Sequence, residues 1–314
     1  MFTKTVSSVI VLVAIILIAV FLKHLKLIRS EHAPVFSKLV TTLTLPALIF
    51  HSLAHATLYW EYVLLALVMV GAEVLSLILA WLIGKRLRLE SPQLGSFMLV
   101  SGFGSSALLG YALIGQIFPG NTAAITEAVL ITEVGVGPAL FTIGTMIAMY
   151  YGSNGADTRA RIMAALGFFK SPICCAVVAG IAWTSLDLPV RGMILDPVFQ
   201  SLQILSSANT LMVALTVGVV LQFSEMRAVM TMAFFACLLK LVLKPVMVWL
   251  PTLAMDLHTW QVEILVLEAA MPSALLTVVL ANTYGCDARL ASKLVFATTM
   301  AGIATIIVMF RLLV

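Results

Sequence analysis

"PSALLTVVL" (residues 272–280) and "SSALLGYAL" (residues 105–113) share the letters SALL at an offset of 167 positions, each inside a long apolar stretch. Proline removes a backbone donor and its ring collides with the preceding turn, and glycine lowers helix stability. Pro272 in one stretch, and Gly102, Gly104, Ser105, Ser106 and Gly110 in the other, therefore predict helices broken near their middles. A break inside hydrocarbon exposes amides and carbonyls, which is tolerated only where protein or a water-filled cavity covers them. Ser106 and Ser273 are suited to cap the half-helices that restart there. Two half-helix N-termini would then aim amides and positive dipole ends at one midplane spot, which favours an anion. Small residues also permit plain close packing. The matched placement in both halves favours the break.

The chain around these stretches suits a bilayer. Of 314 residues, 62% are hydrophobic and 10% charged, against roughly a quarter charged in soluble proteins. Apolar segments of about 20 residues, enough to cross hydrocarbon, recur at 6–25, 37–55, 61–83, 93–117, 122–149, 162–185, 200–222, 229–252, 260–283 and 290–312. They are too long and too uniformly apolar for membrane-barrel strands. The expected class is an all-α integral membrane protein with ten transmembrane helices. Lys4 before the first apolar run resembles the start of a signal peptide, but "FLKHLKLIR" (21–29) offers no small-residue cleavage site, so this run is read as a helix.

Basic residues sort by loop. Lys23, Lys26, Arg29, Lys38, Lys85, Arg86, Arg88, Arg159, Arg161, Arg227 and Arg289 follow odd-numbered spans; Lys4, Arg191 and Arg311 lie at the termini or after even ones. This places the odd loops in the cytoplasm and both termini outside. The charges set orientation and do not form a nucleic-acid patch.

The offset of 167 lays spans 1–5 (1–151) over spans 6–10 (162–314), joined by a short cytoplasmic loop at 152–161. Five spans per copy means that the copies enter the membrane from opposite sides. Inverted repeats in transporters put the substrate site at the repeat interface near the midplane.

"LTLPALIFHSLAHA" (43–56), "VGAEVLSLILAW" (70–81), "LKLVLKPVMVW" (239–249) and above all "EAAMPSALLTVVLANTYGCDARLASKLVFATTM" (268–300) resemble the auxin efflux carrier family, plant PIN-type exporters and their bacterial relatives, over nearly the whole chain. The resemblance implies inverted repeats with broken spans 4 and 9 crossing. It also implies a scaffold of spans 1, 2, 6 and 7 against which spans 3–5 and 8–10 move as an elevator. Glu73 lies where PIN-type proteins carry aspartate. The chain departs from them at Ser105 and Ser106, where they have proline and asparagine, and at Leu113 and Leu77, where they have proline and lysine. Auxin itself is not carried over.

Ionisable residues inside spans are costly and usually functional. The repeat offset relates Glu73 to Lys240, which predicts a buried pair whose lysine a substrate carboxylate competes for; a static structural pair is the alternative. Glu268, one turn before Pro272, would sit at a half-helix C-terminus, where negative charge is disfavoured. It is a candidate proton carrier, or a partner of Lys240 or Lys244. Glu133 is expected deep in span 5, Glu127 at the interface and Glu263 in solvent. Lys244 is read as packing or snorkelling. His51, Asn209 with Thr210, and Asn282 are candidate substrate contacts beside Ser105, Ser106, Gly110, Pro272 and Ser273.

No GxxxxGK[ST] motif, HExxH or Ser–His–acid cluster is present, and Cys174, Cys175, Cys237 and Cys286 lack metal spacing. The expected function is therefore not enzymatic and needs no cofactor: a secondary or facilitative carrier of small organic anions, an exporter of elevator type. A sodium-coupled symporter of the bile-acid type, using Glu268, Asn209 and Gln203, and a channel or receptor without carrier activity remain as alternatives. Partners expected are the anion, the lipid bilayer of a prokaryotic cell membrane, a proton or sodium ion and a second copy in a homodimer.

Overall fold

The computed structural model describes residues 2–57, 59–152, 170–220 and 229–313. Most of the expected loop at 152–161, the start of the sixth span, and Arg159, Arg161 and Arg227 lie outside the described residues. Among those described the chain is helical, with one isolated antiparallel bridge between Gly104 and Ser273.

In chain order the apolar helices are α1 Val6–His24, α2 Val35–Ala54, α3 Trp60–Arg86, α4 Ser91–Gly102, α5 Ser106–Ile117 and α6 Thr122–Tyr151. Then follow α7 Pro172–Ser185, α8 Leu195–Val219, α9 Met230–Thr252, α10 Thr259–Ala270, α11 Leu276–Tyr284 and α12 Ala288–Leu313. Seven of them (α1, α2, α3, α6, α8, α9 and α12) are long and apolar enough to cross a membrane. The stretches expected as the fourth and ninth spans are each two helices, α4 with α5 and α10 with α11.

Several helices carry a π-helical turn, and proline explains three of them. The turns Val40–Thr44, Ile131–Val136 and Leu238–Leu243 lie just before Pro46, Pro138 and Pro245. A proline ring clashes with the carbonyl four residues back, and widening the preceding turn relieves that clash without ending the helix. Such wide turns are rare and often found at functional sites.

Two compact units emerge, taken over their described residues. One gathers Met1–Tyr62, Ala107–Val129 and Phe169–Gln222; the other gathers Val63–Ser106, Leu130–Phe168 and Phe223–Val314. In the first, α1 packs on α8 and α2 on α7. Gly218 lets α8 approach α1 so closely that a Cβ there would stand 2.7 Å from the Ile16 carbonyl oxygen, the small-residue contact typical of membrane helices. In the second, Phe97, Leu99 and Phe103 pack with Leu239, Leu290 and Leu294 in a continuous apolar core. That core holds the end of α4.

Candidate functional site

The two breaks pair with each other. Between α4 and α5, and between α10 and α11, the chain runs extended; Ser105 N donates to Pro272 O (2.7 Å) and Ala274 N to Phe103 O (3.1 Å). Ser273 N donates to Thr298 Oγ1 of α12 at 3.3 Å. Polar backbone freed by the breaks is thus satisfied by protein, as hydrocarbon surroundings require.

The serines do not cap as expected. Leu275 holds the N-cap position of α11, while the Ser273 hydroxyl donates to Val100 O at 2.7 Å and lies 3.0 Å from Thr298 Oγ1. Pairing draws Ser273 into the extended segment, too far from the first helical amides to cap them. Ser106 Oγ likewise donates to Glu268 O at 3.4 Å. The amides of Thr277 and Val278 bond to Ala274 O and Leu275 O, at 3.1 Å each. Fewer amides remain for an anion than the sequence implied.

Lysines occupy the opposite ends. Lys244 Nζ donates to Gly102 O, the last residue of α4, at 3.0 Å, and Lys240 Nζ donates to Ala269 O near the end of α10 at 2.8 Å. The last carbonyls of a helix lack intrahelical partners and carry the negative end of its dipole, so an ammonium is favoured there. Lys244 also forms a salt bridge with Glu73 Oε1 at 2.9 Å. This corrects the expected Glu73–Lys240 pair. Four residues apart, both lysines face the same side of α9, and Lys244, one turn further on, is the one level with the Glu73 carboxylate. All three are at most 1% exposed.

Glu268 completes the group. It is 1% exposed, its Oε2 accepts from Thr132 Oγ1 at 3.1 Å, and Oε1 has no hydrogen-bond partner among the described residues. Lys240 and Glu133 are within electrostatic reach of its carboxylate. Wide turns supply Ser106, Thr132, Glu133 and Lys240. The structure therefore gathers Ser105, Ser106, Pro272, Ser273, Glu73, Lys240, Glu268 and Glu133 within one compact unit.

Other expected residues fall elsewhere. Asn282 is exposed on α11, well past the break, because its helical phase turns it outward; it does not join the group. Gly110 ends the wide turn Ser106–Gly110 and, with His51 and Asn209, belongs to the other unit. There Asn209 Oδ1 accepts from Thr44 Oγ1 at 2.9 Å, and its Nδ2 has no partner among the described residues. His51 packs against His55 with ring centroids 4.5 Å apart and the rings tilted by 36°, beside Phe199. Glu127 and Glu263, expected at the interface and in solvent, are both buried. Lys244 and Thr132 were not singled out as site residues. The spacing of Lys244 four positions after Lys240 was the available signal; nothing local marked Thr132. Among the described residues, no three His, Cys, Asp or Glu side chains converge to hold a metal ion.

A family model described as membrane transport protein matches residues 4–310. An uncharacterized transporter of Methanothermobacter thermautotrophicus is 28% identical over 97% of this chain and 96% of its own. One of Methanocaldococcus jannaschii is 23% identical over 93% of both chains. The uncharacterized transporter YfdV of Escherichia coli is 23% identical over 92% of this chain and 91% of its own.

Proposed function

The chain belongs to this membrane transport protein family, in keeping with its resemblance to auxin efflux carriers, and on that premise we propose a secondary carrier of small organic anions. It exports them by elevator-type alternating access. One observation carries the reading: Lys240 is fully buried, bonded to a carbonyl at the paired breaks, and its ammonium has no salt-bridge partner among the described residues. Lys244 is already matched by Glu73. A substrate carboxylate entering at the breaks would replace Ala269 O on Lys240 and gain a charge-assisted bond in low dielectric. Ser105, Ser106 and Pro272 shape that place, and Glu73 keeps Lys244 from competing for the ligand.

Two further observations support the architecture. The paired interruptions 167 positions apart favour an inverted repeat of ten spans. The division into two compact units, with α1, α2, α7 and α8 in one and α9 to α12 in the other, is in keeping with a scaffold and a moving bundle, except that residues 107–129, expected in the bundle, group with the first unit. The sorting of basic residues favours cytoplasmic odd loops and extracytoplasmic termini in the cell membrane.

The test is counterflow in proteoliposomes loaded with mono- and dicarboxylates, after a thermal-shift screen has picked ligands that stabilise the purified chain. Labelled substrate should enter saturably. Lys240→Met should lower uptake about tenfold or more, the effect of losing a hydrogen bond to a charged group. Flux that never saturates, or is unchanged in Lys240→Met, overturns the reading.

A further inference from the structure

We propose that His51 and His55 form a binding site for one divalent copper or nickel ion at the end of α2, in the compact unit that does not hold the paired breaks. His51 lies in the last turn of the helix and His55 is the residue that ends it. Residues four apart share one helix face, and two histidines at this spacing can present both imidazoles to one metal ion.

The state of the two rings supports a metal. His55 Nδ1 lies 2.8 Å from the His51 carbonyl oxygen. A carbonyl only accepts, so Nδ1 carries the proton and Nε2 of neutral His55 keeps its lone pair. A backbone bond of this kind fixes the tautomer and orientation of metal-ligating histidines. The His51 ring touches His55 and Phe199 and has no hydrogen-bond partner among the described residues. Phe199 meets the His55 ring edge-on, with centroids 5.1 Å apart and planes at 86°. Phe50 and Trp183 pack against Phe199 in turn. An apolar wall thus steadies both rings, while half-buried His51 and exposed His55 remain open to an approaching ion.

The ring separation narrows the metal. With metal–nitrogen bonds of about 2.0–2.1 Å, centroids 4.5 Å apart correspond to an angle of about 90° at a shared ion. That angle separates neighbouring positions of a tetragonal ion, whereas tetrahedral zinc would hold the rings about 5 Å apart. Tetragonal surroundings of nitrogen and oxygen suit copper(II) and nickel(II), and copper binds most tightly in the first-row series. Among the described residues no third His, Cys, Asp or Glu joins the pair, so solvent oxygens complete the shell. The bound ion ties His55 back to the preceding turn and so closes the end of α2. None of this rests on the carrier reading.

The experiment titrates the purified full chain, free of any histidine tag, with copper(II), nickel(II), zinc(II) and magnesium(II). Melting is followed for all four, and paramagnetic resonance for copper. The wild type should take up one copper ion with the signature of two imidazole nitrogens. Copper and nickel should raise the melting temperature saturably, and magnesium should not. His51→Gln and His55→Gln should each weaken copper binding about tenfold or more. His258→Gln, which alters a histidine outside the pair, should bind as the wild type does. Should His51→Gln fail to fold, the exposed His55→Gln still decides. A signature of one nitrogen, or equal uptake by His55→Gln and the wild type, overturns the site. So does a melting response to zinc larger than that to copper and nickel, which would contradict the angle read from the two rings.

Discussion

Lys244 Nζ lies 2.9 Å from Glu73 Oε1 and 3.0 Å from Gly102 O, so one ammonium both neutralises a buried carboxylate and closes the end of a broken helix. Each role alone would help hold α9 to its neighbours. Together they make this contact the anchor of the charged group.

Lys244→Met should therefore destabilise the chain by about 3–5 kcal/mol, because it leaves Glu73 buried and unpaired. The double variant Glu73→Leu, Lys244→Met should recover much of that loss, since well-packed apolar residues often replace a buried ion pair at no net penalty. Unfolding of the detergent-solubilised variants measures both. A single variant that melts with the wild type would show the pair to be incidental.

Gly104 leaves room for Lys240: a Cβ at this position would stand 2.8 Å from its Nζ and 2.9 Å from its Cε. The obstacle is the far end of a flexible side chain, so Gly104→Ala should fold and melt near the wild type while displacing the ammonium from Ala269 O. Transport should show a raised KM with little loss of melting temperature. A large stability loss with unchanged KM would place the effect in packing alone.

Gly285 ends α11 in the left-handed region, at φ 82°, and Cys286 N then bonds back to Ala281 O at 2.9 Å. A side chain there is disfavoured by about 1–2 kcal/mol. Gly285→Ala should lower the melting temperature accordingly, and Gly285→Asn should lower it less, because asparagine tolerates this conformation better. Equal melting of all three would mean that the turn is not under this constraint.

Cys286 lies in the short connection after α11. Burial and the neighbouring Asp287 push its thiol up to about 11. The neutral thiol is thereby favoured in the folded chain, and the thiolate, the reactive form, becomes abundant only as the pH approaches that value. The folded state consequently loses stability as pH rises above the ordinary thiol range, since the unfolded chain then releases its proton first. Alkylation followed by mass spectrometry should find Cys286 protected near pH 8 and freely modified once denatured. Rapid modification of the folded chain at pH 8 would contradict this.

The bilayer-crossing helices and the two interruptions were legible because both follow from local chemistry. Apolar length is a property of consecutive residues, and Pro272 and the Gly-Ser cluster at 102–106 weaken a helix wherever it sits. Mid-span charge likewise marked Glu73, Lys240 and Glu268 in advance. What those charges touch was another matter. Repeat arithmetic paired Glu73 with Lys240, and packing chose Lys244.

By itself, then, the sequence determined that this chain fills a membrane with helices, where two of them break and which buried charges must find partners. Tertiary structure decided the partners, because proline-induced wide turns reset the phase of α6 and α9 and the backbone pairing drew Ser273 away from its cap. It also turned Asn282 outward and brought Thr132 to Glu268. A hydrogen bond depends on distance and direction across helices, and neither is written in the spacing along one chain.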